Sequence, residues 1–439
     1  MRYVSGSNQP ITNIRDALYD RIPINAAESA LLGTEAFLRL DRIQQLGFIS
    51  RVWPSAKHTR FEHSLGVMHL MRQGITTLRA FGGPVVLSDD DARAATAAAL
   101  LHDIGHYPFS HAIEELGPPI LKHERIGRRI IEGDEIADVL RRDWEIDPAR
   151  VADLVDPSGP STTPQDNVIR GLLSGALDVD KLDYLPRDAR ACNVPYGRVD
   201  TPRLLDALRV REVQGRGRVV VDDKGISPLH SLMNARQEMF DNVYWHHTNR
   251  ACMAMLLRAV QEAVEAGAVA PEALTAHDDT SLLALFSGPE MPEGTQRLVA
   301  ALKSRRFHKR AVEVSARAGD LFQRLSALYY RPRDRRAAEI AMTEIAATLV
   351  DVDVRDTDVL IDIPKPEKWT ADVWVEFDEP PIGFSPLMPW DEVVGARADD
   401  LRRYEEHRRL VRIVATDAVR DALHVHWERL IVPLLGGVL

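Results

Sequence analysis

Hydrophobic positions in this 439-residue chain recur mostly at three- and four-residue spacings, which is the period of an amphipathic helix. The pattern predicts helices over 29–47 and 88–105, each ending on a glycine, and Ser88 is expected to cap the second. Long stretches with the same period predict further helices from 226 to about 266 and from 400 to about 435. The chain is therefore predicted to be mostly α-helical.

Runs that are typical of strands are few. A hairpin is predicted over 217–226, with its turn at Asp223-Lys224-Gly225, and two further strands over 358–364 and 372–377. Loops rich in turn-forming residues are predicted over 156–166, 267–295 and 378–390. These strands indicate a small α+β appendage near the C-terminus.

Composition is that of a folded globular protein, with 45% hydrophobic and 27% charged residues. The formal net charge of −10 argues against nucleic-acid or anionic-membrane binding by the whole surface, but not against a local basic pocket for phosphates. Neither Cys192 nor Cys252 sits in a CxxC pair, which argues against a disulfide framework and a thiolate zinc site. Without an apolar signal core or a membrane-length apolar run, a cytoplasmic protein with no membrane partner is expected.

Two segments of predicted helix carry side chains that could ligate a metal. The stretch LLHDIGHYPFSH (100–111) places His102 and Asp103 together where an alanine-rich helix ends. The stretch HTRFEHSLGVMHL (58–70) begins a second helix and carries His63. A lone His-Asp pair is more often a surface or capping feature, so the hypothesis of a site depends on several segments acting together.

A third segment supplies further carboxylates. The stretch GALDVDKLDYLPRDA (175–189) places Asp180, Tyr184 and Asp188 at four-residue spacing on one face of a helix. Pro186 is expected to kink that helix. Such a pattern alone is typical of a solvated helix face, but three segments with ligand-type groups indicate a shared site.

Four motifs in order resemble the HD-domain phosphohydrolases, and most closely their deoxynucleoside triphosphate (dNTP) triphosphohydrolase branch. The motifs are RFEHSLGVMHL, LLHDIGHYPFSH, LDVDKLDYLPRD and ARQEMFDNVYWHHTNR. The resemblance covers roughly residues 10 to 345. It implies an HD-domain helical core over 1–266, a helical extension over 267–347 and a C-terminal α+β appendage over 348–439.

The resemblance implies a divalent metal centre. By motif position, its ligands would be His63, His102, Asp103 and Asp180. Two imidazoles and two carboxylates suit a hard-to-borderline ion and leave positions for water and phosphate, and manganese, iron, magnesium, nickel and zinc are all compatible. Such an ion polarises a phosphoryl oxygen and acidifies a bound water.

The resemblance also implies acid–base and substrate-binding residues. His106, paired with Glu114, would assist proton transfer, and His111 and His123 would be further active-site histidines. The implied substrate contacts are Gln45 and Leu46 at the base and sugar, Arg60, Lys181 and Arg236 at the triphosphate, Tyr184 near the phosphates, Asp188 at the 3′-hydroxyl and Tyr244 against the deoxyribose.

Plainer interpretations of several residues stay open. His111 and His123 could simply cap or pack, and Tyr244 could be a core aromatic. His58 and His69 are interpreted as surface or capping residues. The eight-residue spacing between Arg236 and Tyr244 would place both on one helix face.

The activity implied is hydrolysis of a dNTP to a deoxynucleoside and triphosphate, by a homo-oligomer with a nucleotide as its partner. An HD-type nucleotidase or phosphodiesterase acting on another nucleotide stays open, as does a non-catalytic nucleotide sensor. The three cations assigned to the triphosphate exceed what a monophosphate needs. The intact ligands and the His106–Glu114 pair argue against a pure sensor.

Two departures from the family pattern concern a regulatory nucleotide site. Asp41 stands where nucleotide-activated members carry an arginine, and RDALYD (15–20) replaces a DPIHG-like stretch. Arg305 and Lys309 do match basic regulatory positions, although a charge run of this kind is usually a solvated helix face. The regulatory site is therefore predicted to be degenerate or absent.

Overall fold

The computed structural model describes residues 9–161, 163–365, 372–395 and 407–431. Across these residues helices predominate and the strands are short and form small sheets, so the predicted mostly α fold is confirmed. No helix in the described ranges is long and apolar enough to cross a membrane.

Helices form most of the ordered elements. They are α1 (Ala26–Leu32), α2 (Glu35–Leu38), α3 (Arg60–Phe81), α4 (Asp89–Leu101), α5 (His123–Ile131), α6 (Asp134–Asp143), α7 (Pro148–Val155), α8 (Pro164–Ser174), α9 (Val179–Cys192), α10 (Thr201–Asp206), α11 (Ile226–Met239), α12 (His247–Glu265), α13 (Asp279–Leu285), α14 (Glu293–Lys303), α15 (Asp320–Ala327), α16 (Pro332–Ala347), α17 (Trp390–Val394), α18 (Asp417–Val425) and α19 (Trp427–Ile431). Short 3₁₀ turns lie at Arg39–Arg42, Gly47–Arg51, Ser110–Leu116, Asp223–Gly225, Pro271–Ala276, Ala316–Ala318 and Leu328–Tyr330.

The described strands form three small sheets. They are β1 (Pro10–Asp16), β2 (Asp20–Asn25), β3 (Leu208–Val213), β4 (Arg216–Asp222), β5 (Lys309–Val314), β6 (Val359–Asp362), β7 (Trp374–Glu376), β8 (Leu387–Pro389) and β9 (Val411–Ala415). The sheets have the orders β1-β2, β3-β4-β7-β8 and β5-β9-β6. All neighbouring strands are antiparallel except β4 and β7, which run parallel.

Three helices position the candidate site. Helix α3 packs against both α4 and α9. Gly66 on α3 permits the close approach of α9, because a Cβ at this position would collide with the Asp183 carboxylate and the Arg187 guanidinium. Ser88 and Asp91 form a capping box that begins α4, whose alanine-rich faces are buried. The first turns of α3 and α9 therefore meet the end of α4.

The single helix predicted over 29–47 is wrong. Helix α1 ends at Leu32, and Thr34 caps α2 by accepting a hydrogen bond from the Phe37 amide. Gly47 has a φ of 50°, in the left-handed region, and begins a 3₁₀ turn instead of ending a helix. The helical period persists through these breaks because the short helices face the same core.

Helix α4 begins at its predicted cap but ends at Leu101 rather than at Gly105. His102 and Asp103 consequently lie in the turn that follows the helix. Gly105 serves a different purpose, because a Cβ there would collide with the backbone of α5. The glycine therefore lets the HD turn lie directly against the next helix.

The long helix predicted from 226 to about 266 is interrupted. Helix α11 is followed by a π-helical turn over Phe240–Tyr244, and α12 begins only at His247. A π turn changes the phase of the side chains that follow it. The eight-residue spacing of Arg236 and Tyr244 does not by itself place these side chains on one face.

The hairpin predicted over 217–226 is wrong, because this stretch contains only strand β4 and then leads into α11, and β4 pairs instead with the preceding strand β3. Strands β3 and β4 are joined at Gln214 and Gly215, which have φ values of 52° and 74°. The Asp223-Lys224-Gly225 signal is instead a 3₁₀ turn between β4 and α11. It marks the change from strand to helix.

Two other stretches contain elements that differ from the prediction. The loop expected over 267–295 contains α13, which Asp278 caps, and the start of α14. The helix expected from 400 to about 435 is interrupted by β9, and residues 400–406 lie outside the described ranges. Every residue of β9 is buried, which is typical of a central strand.

The strands predicted over 358–364 and 372–377 are present as β6 and β7, but they belong to different sheets. Strand β7 pairs with β4, and β6 pairs with β9. The C-terminal strands therefore do not form one sheet of their own. The division into 1–266, 267–347 and 348–439 stays a prediction.

Candidate active site

The structure brings the four predicted metal ligands together in what we call the metal cluster: His63, His102, Asp103 and Asp180. His63 Nε2 lies 3.0 Å from Asp180 Oδ1 and 3.7 Å from Asp103 Oδ2. His102 Nε2 lies 3.4 Å from Asp103 Oδ1 and 3.8 Å from Asp180 Oδ1. One potential ligand atom from each of His63, His102 and Asp180 falls within 4.8 Å of the others, a spacing that could accommodate a metal ion.

Both imidazoles have a hydrogen-bond partner at Nδ1, the nitrogen that faces away from Asp103 and Asp180. This arrangement fits metal binding through Nε2. His63 Nδ1 lies 2.8 Å from a carboxylate oxygen of Asp183, and His102 Nδ1 lies 2.8 Å from the Ala99 carbonyl oxygen. Both partners are acceptors, so the proton of the neutral imidazole is assigned to Nδ1, which leaves Nε2 with the lone pair that a metal would use. His102 Nε2 is buried without a hydrogen bond although it faces carboxylates. A cation between these acceptors would satisfy them, and metal-binding histidines commonly have this outer partner.

The charge of the metal cluster also favours a cation. Burial would lower the pKa of His63, but hydrogen bonds and charge from Asp180 and Asp183 outweigh it and raise this pKa to about 10. Burial works to raise the pKa of Asp180, yet the hydrogen bonds and positive charges of His102 and His63 lower it. The same negative potential that stabilises a proton at His63 Nε2 would stabilise a divalent ion beside it.

Asp183 is a site residue that the sequence analysis missed. It is fully buried and accepts hydrogen bonds from His63, from Arg187 Nε at 2.8 Å and from the Tyr19 hydroxyl at 2.8 Å. Arg187 also donates to Asp16 at 2.9 Å. Burial opposes the charge on Asp183, but Arg187 and His63 hold its pKa at about 2. The Asp183–Arg187 pair at four-residue spacing was the available sequence signal.

Asp16 and Tyr19 belong to the RDALYD stretch that was considered only as a departure from a regulatory motif. In the structure this stretch forms the turn of the β1–β2 hairpin. The hairpin delivers both side chains to the buried carboxylate behind His63. This stretch therefore supports the metal cluster.

Arg60 was predicted to contact the triphosphate, but it is buried against a predicted metal ligand. Its guanidinium donates to the Asp103 carboxylate through Nη1 and to Ser110 Oγ through Nε at 3.1 Å. Ser110 Oγ in turn donates to the carbonyl oxygens of Gln44 and Gln45 at 2.9 and 3.0 Å. Arg60 thus links the metal cluster to the 44–45 segment.

A second group, here called the histidine cluster, contains His106, His111, Glu114 and His123. Glu114 Oε1 lies 3.8 Å from its predicted partner, His106 Nδ1, and makes its shorter contact, of 2.8 Å, with His123 Nδ1. The His106 and His123 rings are stacked with centroids 3.8 Å apart. The ligand atoms of this group also lie within 4.8 Å of one another, so its spacing alone does not separate it from a metal site.

Protonation distinguishes the two clusters. Burial, together with the charges of Arg60 and His123, lowers the pKa of His106 well below its usual value. Burial opposes charge on Glu114 and His123, but their mutual attraction lowers the pKa of Glu114 and raises that of His123. A charged Glu114–His123 pair therefore lies beside a neutral His106, whose Nε2 is 3.1 Å from Asp103.

Asp188 and Tyr244, both predicted at the sugar, are in contact. The Tyr244 hydroxyl donates to Asp188 Oδ2 at 2.7 Å, and the Tyr184 ring lies 6.4 Å from the Tyr244 ring. His58, which was interpreted as a surface or capping residue, has a side chain that is only 8% exposed and lies 2.7 Å from Asp188 Oδ1. His69, given the same interpretation, contacts the Tyr19 ring.

The remaining predicted substrate residues are placed as follows. Lys181 Nζ lies 2.5 Å from Asp178 and donates to the Gly175 carbonyl at 3.1 Å. The Arg236 guanidinium lies over the Phe240 ring at 5.1 Å. Leu46 packs against the main core, and Gln45 Oε1 is buried without a hydrogen bond. The Lys181 ammonium group thus contacts residues just before its own helix, α9.

The predicted regulatory residues do not lie on a helix face. Arg305 follows α14 and donates to the Arg51 carbonyl at 2.7 Å. Lys309 begins β5 and pairs with Asp417 at 2.9 Å. Both line a basic cavity of about 840 Å³. Asp41 accepts a hydrogen bond from the Thr59 hydroxyl at 3.2 Å.

Two protein families match separate parts of the chain. The family described as HD domain matches residues 60–184, a range that contains both clusters. Residues 60–184 of this chain are therefore similar to an HD domain. A second family, described as HD associated region, matches residues 199–378.

Similar proteins extend this result. The chain is 32% identical over 273 residues to an uncharacterized protein of Methanocaldococcus jannaschii, covering 62% of this chain and 54% of that protein. It is 36% identical over 234 residues to the uncharacterized protein YwfO of Bacillus subtilis, a match that covers 53% of this chain and 51% of that protein. It is 27% identical over 278 residues to the human deoxynucleoside triphosphate triphosphohydrolase SAMHD1, a match that covers 57% of this chain and 44% of that protein. The chain spans about half the length of the curated relatives it matches.

The fold also matches a solved structure. A hypothetical protein from Aquifex aeolicus superposes with a TM-score of 0.70 and 24% sequence identity. The match covers 94% of this chain and 99% of that chain. At this identity the likeness concerns the fold alone.

Proposed function

We propose that this protein is a metal-dependent phosphohydrolase that cleaves dNTPs into a deoxynucleoside and triphosphate. The observation that carries the proposal is the pairing of His63 and His102, each held through Nδ1 by an acceptor and directed through Nε2 at Asp103 and Asp180. A buried neutral imidazole, His106, lies directly beside this group. A cation site and a proton-transfer site therefore adjoin.

The metal cluster would hold one divalent ion. When bound, such an ion polarises a phosphoryl oxygen and lowers the pKa of a bound water. In the proposed reaction the oxygen of a water adds to the α-phosphorus and the bond to the 5′-oxygen breaks. The departing 5′-oxygen takes a proton, and the products are the deoxynucleoside and triphosphate.

The histidine cluster is suited to supply that proton. The Glu114–His123 pair keeps a proton at His123 Nδ1, and the His106 ring stacks on His123. His106 is buried and neutral, so it can accept a proton on one nitrogen and release one from the other. General acid catalysis of this kind typically contributes about 10²–10⁴-fold.

Support for a deoxynucleotide comes from Asp188 and Tyr244. Their hydrogen bond holds a carboxylate and a phenol ring together, and His58 fixes the other carboxylate oxygen. We propose that Asp188 receives the sugar 3′-hydroxyl and that the Tyr244 ring occupies the space of a 2′-hydroxyl. Relatives named deoxynucleoside triphosphate triphosphohydrolase, at about 27% identity, support the same substrate class.

A second candidate is a nucleotidase or phosphodiesterase, and one observation favours it. Two of the cations assigned to the triphosphate are engaged elsewhere, since Arg60 pairs with Asp103 and Lys181 with Asp178. A triphosphate bound through them would compete with both carboxylates for these cations. A smaller phosphate ester would need fewer cations.

Product analysis separates the candidates. The purified chain would be incubated with each dNTP, rNTP and dNMP in the presence of manganese, iron, magnesium, nickel or zinc. We expect inorganic triphosphate and deoxynucleoside from dNTPs, and no product from a His102→Ala/Asp103→Ala variant. Orthophosphate from dNMPs alone would favour the nucleotidase, and nucleotide binding without turnover would favour a sensor.

A further inference from the structure

The loop that joins the two clusters is held by a segment from outside the matched HD domain. This HD loop comprises residues 102–116, and the segment is 277–279 in the HD-associated region. Asp279 is 8% exposed. Its two carboxylate oxygens accept hydrogen bonds from the Phe109 amide at 2.7 Å and from the Gln44 amide at 3.0 Å.

A second contact from the same segment reaches the HD loop through Arg39. The buried Arg39 guanidinium donates to the His277 carbonyl at 3.0 Å and to the His106 carbonyl at 2.7 Å. Segment 277–279 is therefore connected to the backbone of His106 as well as to that of Phe109. These contacts join parts of the chain about 170 residues apart.

The backbone at this point of the HD loop needs such support. Phe109 and Ser110 have φ values of 58° and 61°, in the left-handed region that residues with a side chain seldom adopt. Conformations of this kind persist when surrounding contacts fix them. The Phe109 amide bound by Asp279 lies at the start of this pair, and Ser110 Oγ receives the Arg60 guanidinium that also binds Asp103.

The far end of the HD loop is fixed from the same region of the chain. Arg250 on α12 binds Glu115 with two hydrogen bonds, of 2.9 and 3.2 Å, and its Nε donates to Asp362 at 2.8 Å. Helix α12 packs along the 3₁₀ turn that carries Glu114 and Glu115. The HD-associated region thus contacts the loop at Phe109 and at Glu115, and His111 and Glu114 of the histidine cluster lie between these two positions.

Burial of the Asp279 side chain opposes its negative charge. Burial raises its pKa to about 6, although the two backbone amides oppose the rise. A carboxylate is the side chain that can accept from two separate N–H donors through two oxygens. A carboxamide has one acceptor oxygen, so it would leave one of the two amides without its partner.

We propose that Asp279 is a positioning residue that fixes the HD loop against the 44–45 segment and thereby sets the place of the histidine cluster beside Asp103. The role in turnover rests on the proposed hydrolase function. The structural role of Asp279 does not, so the two can be tested separately.

The test compares Asp279→Asn with Asp278→Asn in the full-length chain. The neighbouring Asp278 caps α13 through Thr280 and Ser281, and asparagine can also serve as a cap. Misplacement of a catalytic group by about an ångström can cost about a hundredfold in rate. We therefore expect Asp279→Asn to lower kcat by about ten- to a hundredfold with KM and metal content nearly unchanged, and Asp278→Asn to resemble wild type.

Amide hydrogen exchange supplies a readout that does not depend on activity. Asp279→Asn should accelerate exchange in peptides covering 103–116 and 43–46, while exchange elsewhere and the melting temperature stay close to those of Asp278→Asn. Unchanged exchange in those peptides, or a wild-type kcat in Asp279→Asn, would overturn the proposal. If the wild type hydrolyses no nucleotide, the proposed function fails, and accelerated exchange confined to these peptides would still support the positioning role.

Discussion

The metal cluster and the histidine cluster are neighbours built from the same residue types, yet the pKa values of their buried histidines His63 and His106 are shifted in opposite directions. In the metal cluster the carboxylates of Asp180 and Asp183 surround His63 and raise its pKa to about 10. In the histidine cluster, burial and the positive charges of Arg60 and His123 lower the pKa of His106. An imidazole that attracts positive charge suits a cation site, and a neutral imidazole suits proton exchange. The neighbours of a histidine therefore decide its role.

Removing two metal ligands should have the largest effect. We expect His102→Ala/Asp103→Ala to lose its bound ion and to reduce nucleotide hydrolysis to background, because the acceptors that face the cation site are removed. Metal analysis after gel filtration, together with product formation, checks this. His111→Ala is the matched control, since this histidine is 65% exposed and should leave metal content unchanged. Equal metal content in the double variant and wild type would contradict the assignment.

Removing His106 should have the next largest effect, on turnover alone. We expect His106→Ala to lose about 10²–10⁴-fold in kcat while it retains the ion, because His106 contributes proton transfer and not ligation. Single-turnover rates and metal content would be measured on the same preparation. Loss of the ion together with activity would show that His106 belongs to the metal cluster.

Asp183, which contacts Nδ1 of His63, should affect the affinity of the metal cluster for its ion. We expect Asp183→Asn to weaken metal binding by about 10–100-fold, because an outer carboxylate orients a histidine ligand and raises its basicity. Competition with a chelator would measure the affinity. Asp90→Asn is a suitable control, as its carboxylate lies exposed on α4 at a distance from His63. An unchanged affinity in Asp183→Asn would remove Asp183 from the site.

The smallest effect concerns the sugar. Burying a 2′-hydroxyl without a partner costs on the order of 1–3 kcal/mol. This cost corresponds to about a ten- to hundredfold preference for dNTPs over rNTPs. Tyr244→Ala should lose the preference, whereas Tyr244→Phe keeps the ring and loses only the hydrogen bond to Asp188. Specificity constants for paired dNTP and rNTP substrates provide the comparison. A full preference in Tyr244→Ala would place the discrimination elsewhere.

The resemblance to a known family implied the four residues of the metal cluster because each of them lies in a motif that is local in sequence. His102 and Asp103 are adjacent, and His63 and Asp180 each lie in the first turn of a helix. The mostly α fold followed in the same way from the helical period. Both depend on information carried within a few turns of chain.

The supporting residues were missed because their partners are distant in sequence. Asp183 reaches His63 across 120 residues, His58 reaches Asp188 across 130, and Asp279 reaches Phe109 across 170. The four-residue spacing of Asp183 and Arg187 is the one local signal among them, and such pairs are also common on solvated helix faces. Which of these side chains meet is settled by tertiary packing.

The errors in secondary structure have a related cause. Thr34 caps α2 and so divides the helix predicted over 29–47, and the π turn before His247 divides the helix predicted from 226 to about 266. The hydrophobic period runs through the first break because α1 and α2 face one core, whereas α11 and α12 pack into different hydrophobic clusters. Periodicity reports which face is buried, and it does not report where a helix stops.

The most direct test of the contrast between the clusters is the number of divalent ions bound per chain, in the wild type and in His106→Ala/His123→Ala. The spacing of ligand atoms would allow an ion in either cluster, and only the electrostatics distinguish them. We predict one ion per chain in both proteins, since we propose that the histidine cluster exchanges protons and that the ion binds in the metal cluster. Two ions in the wild type, with one of them lost in the variant, would contradict this distinction.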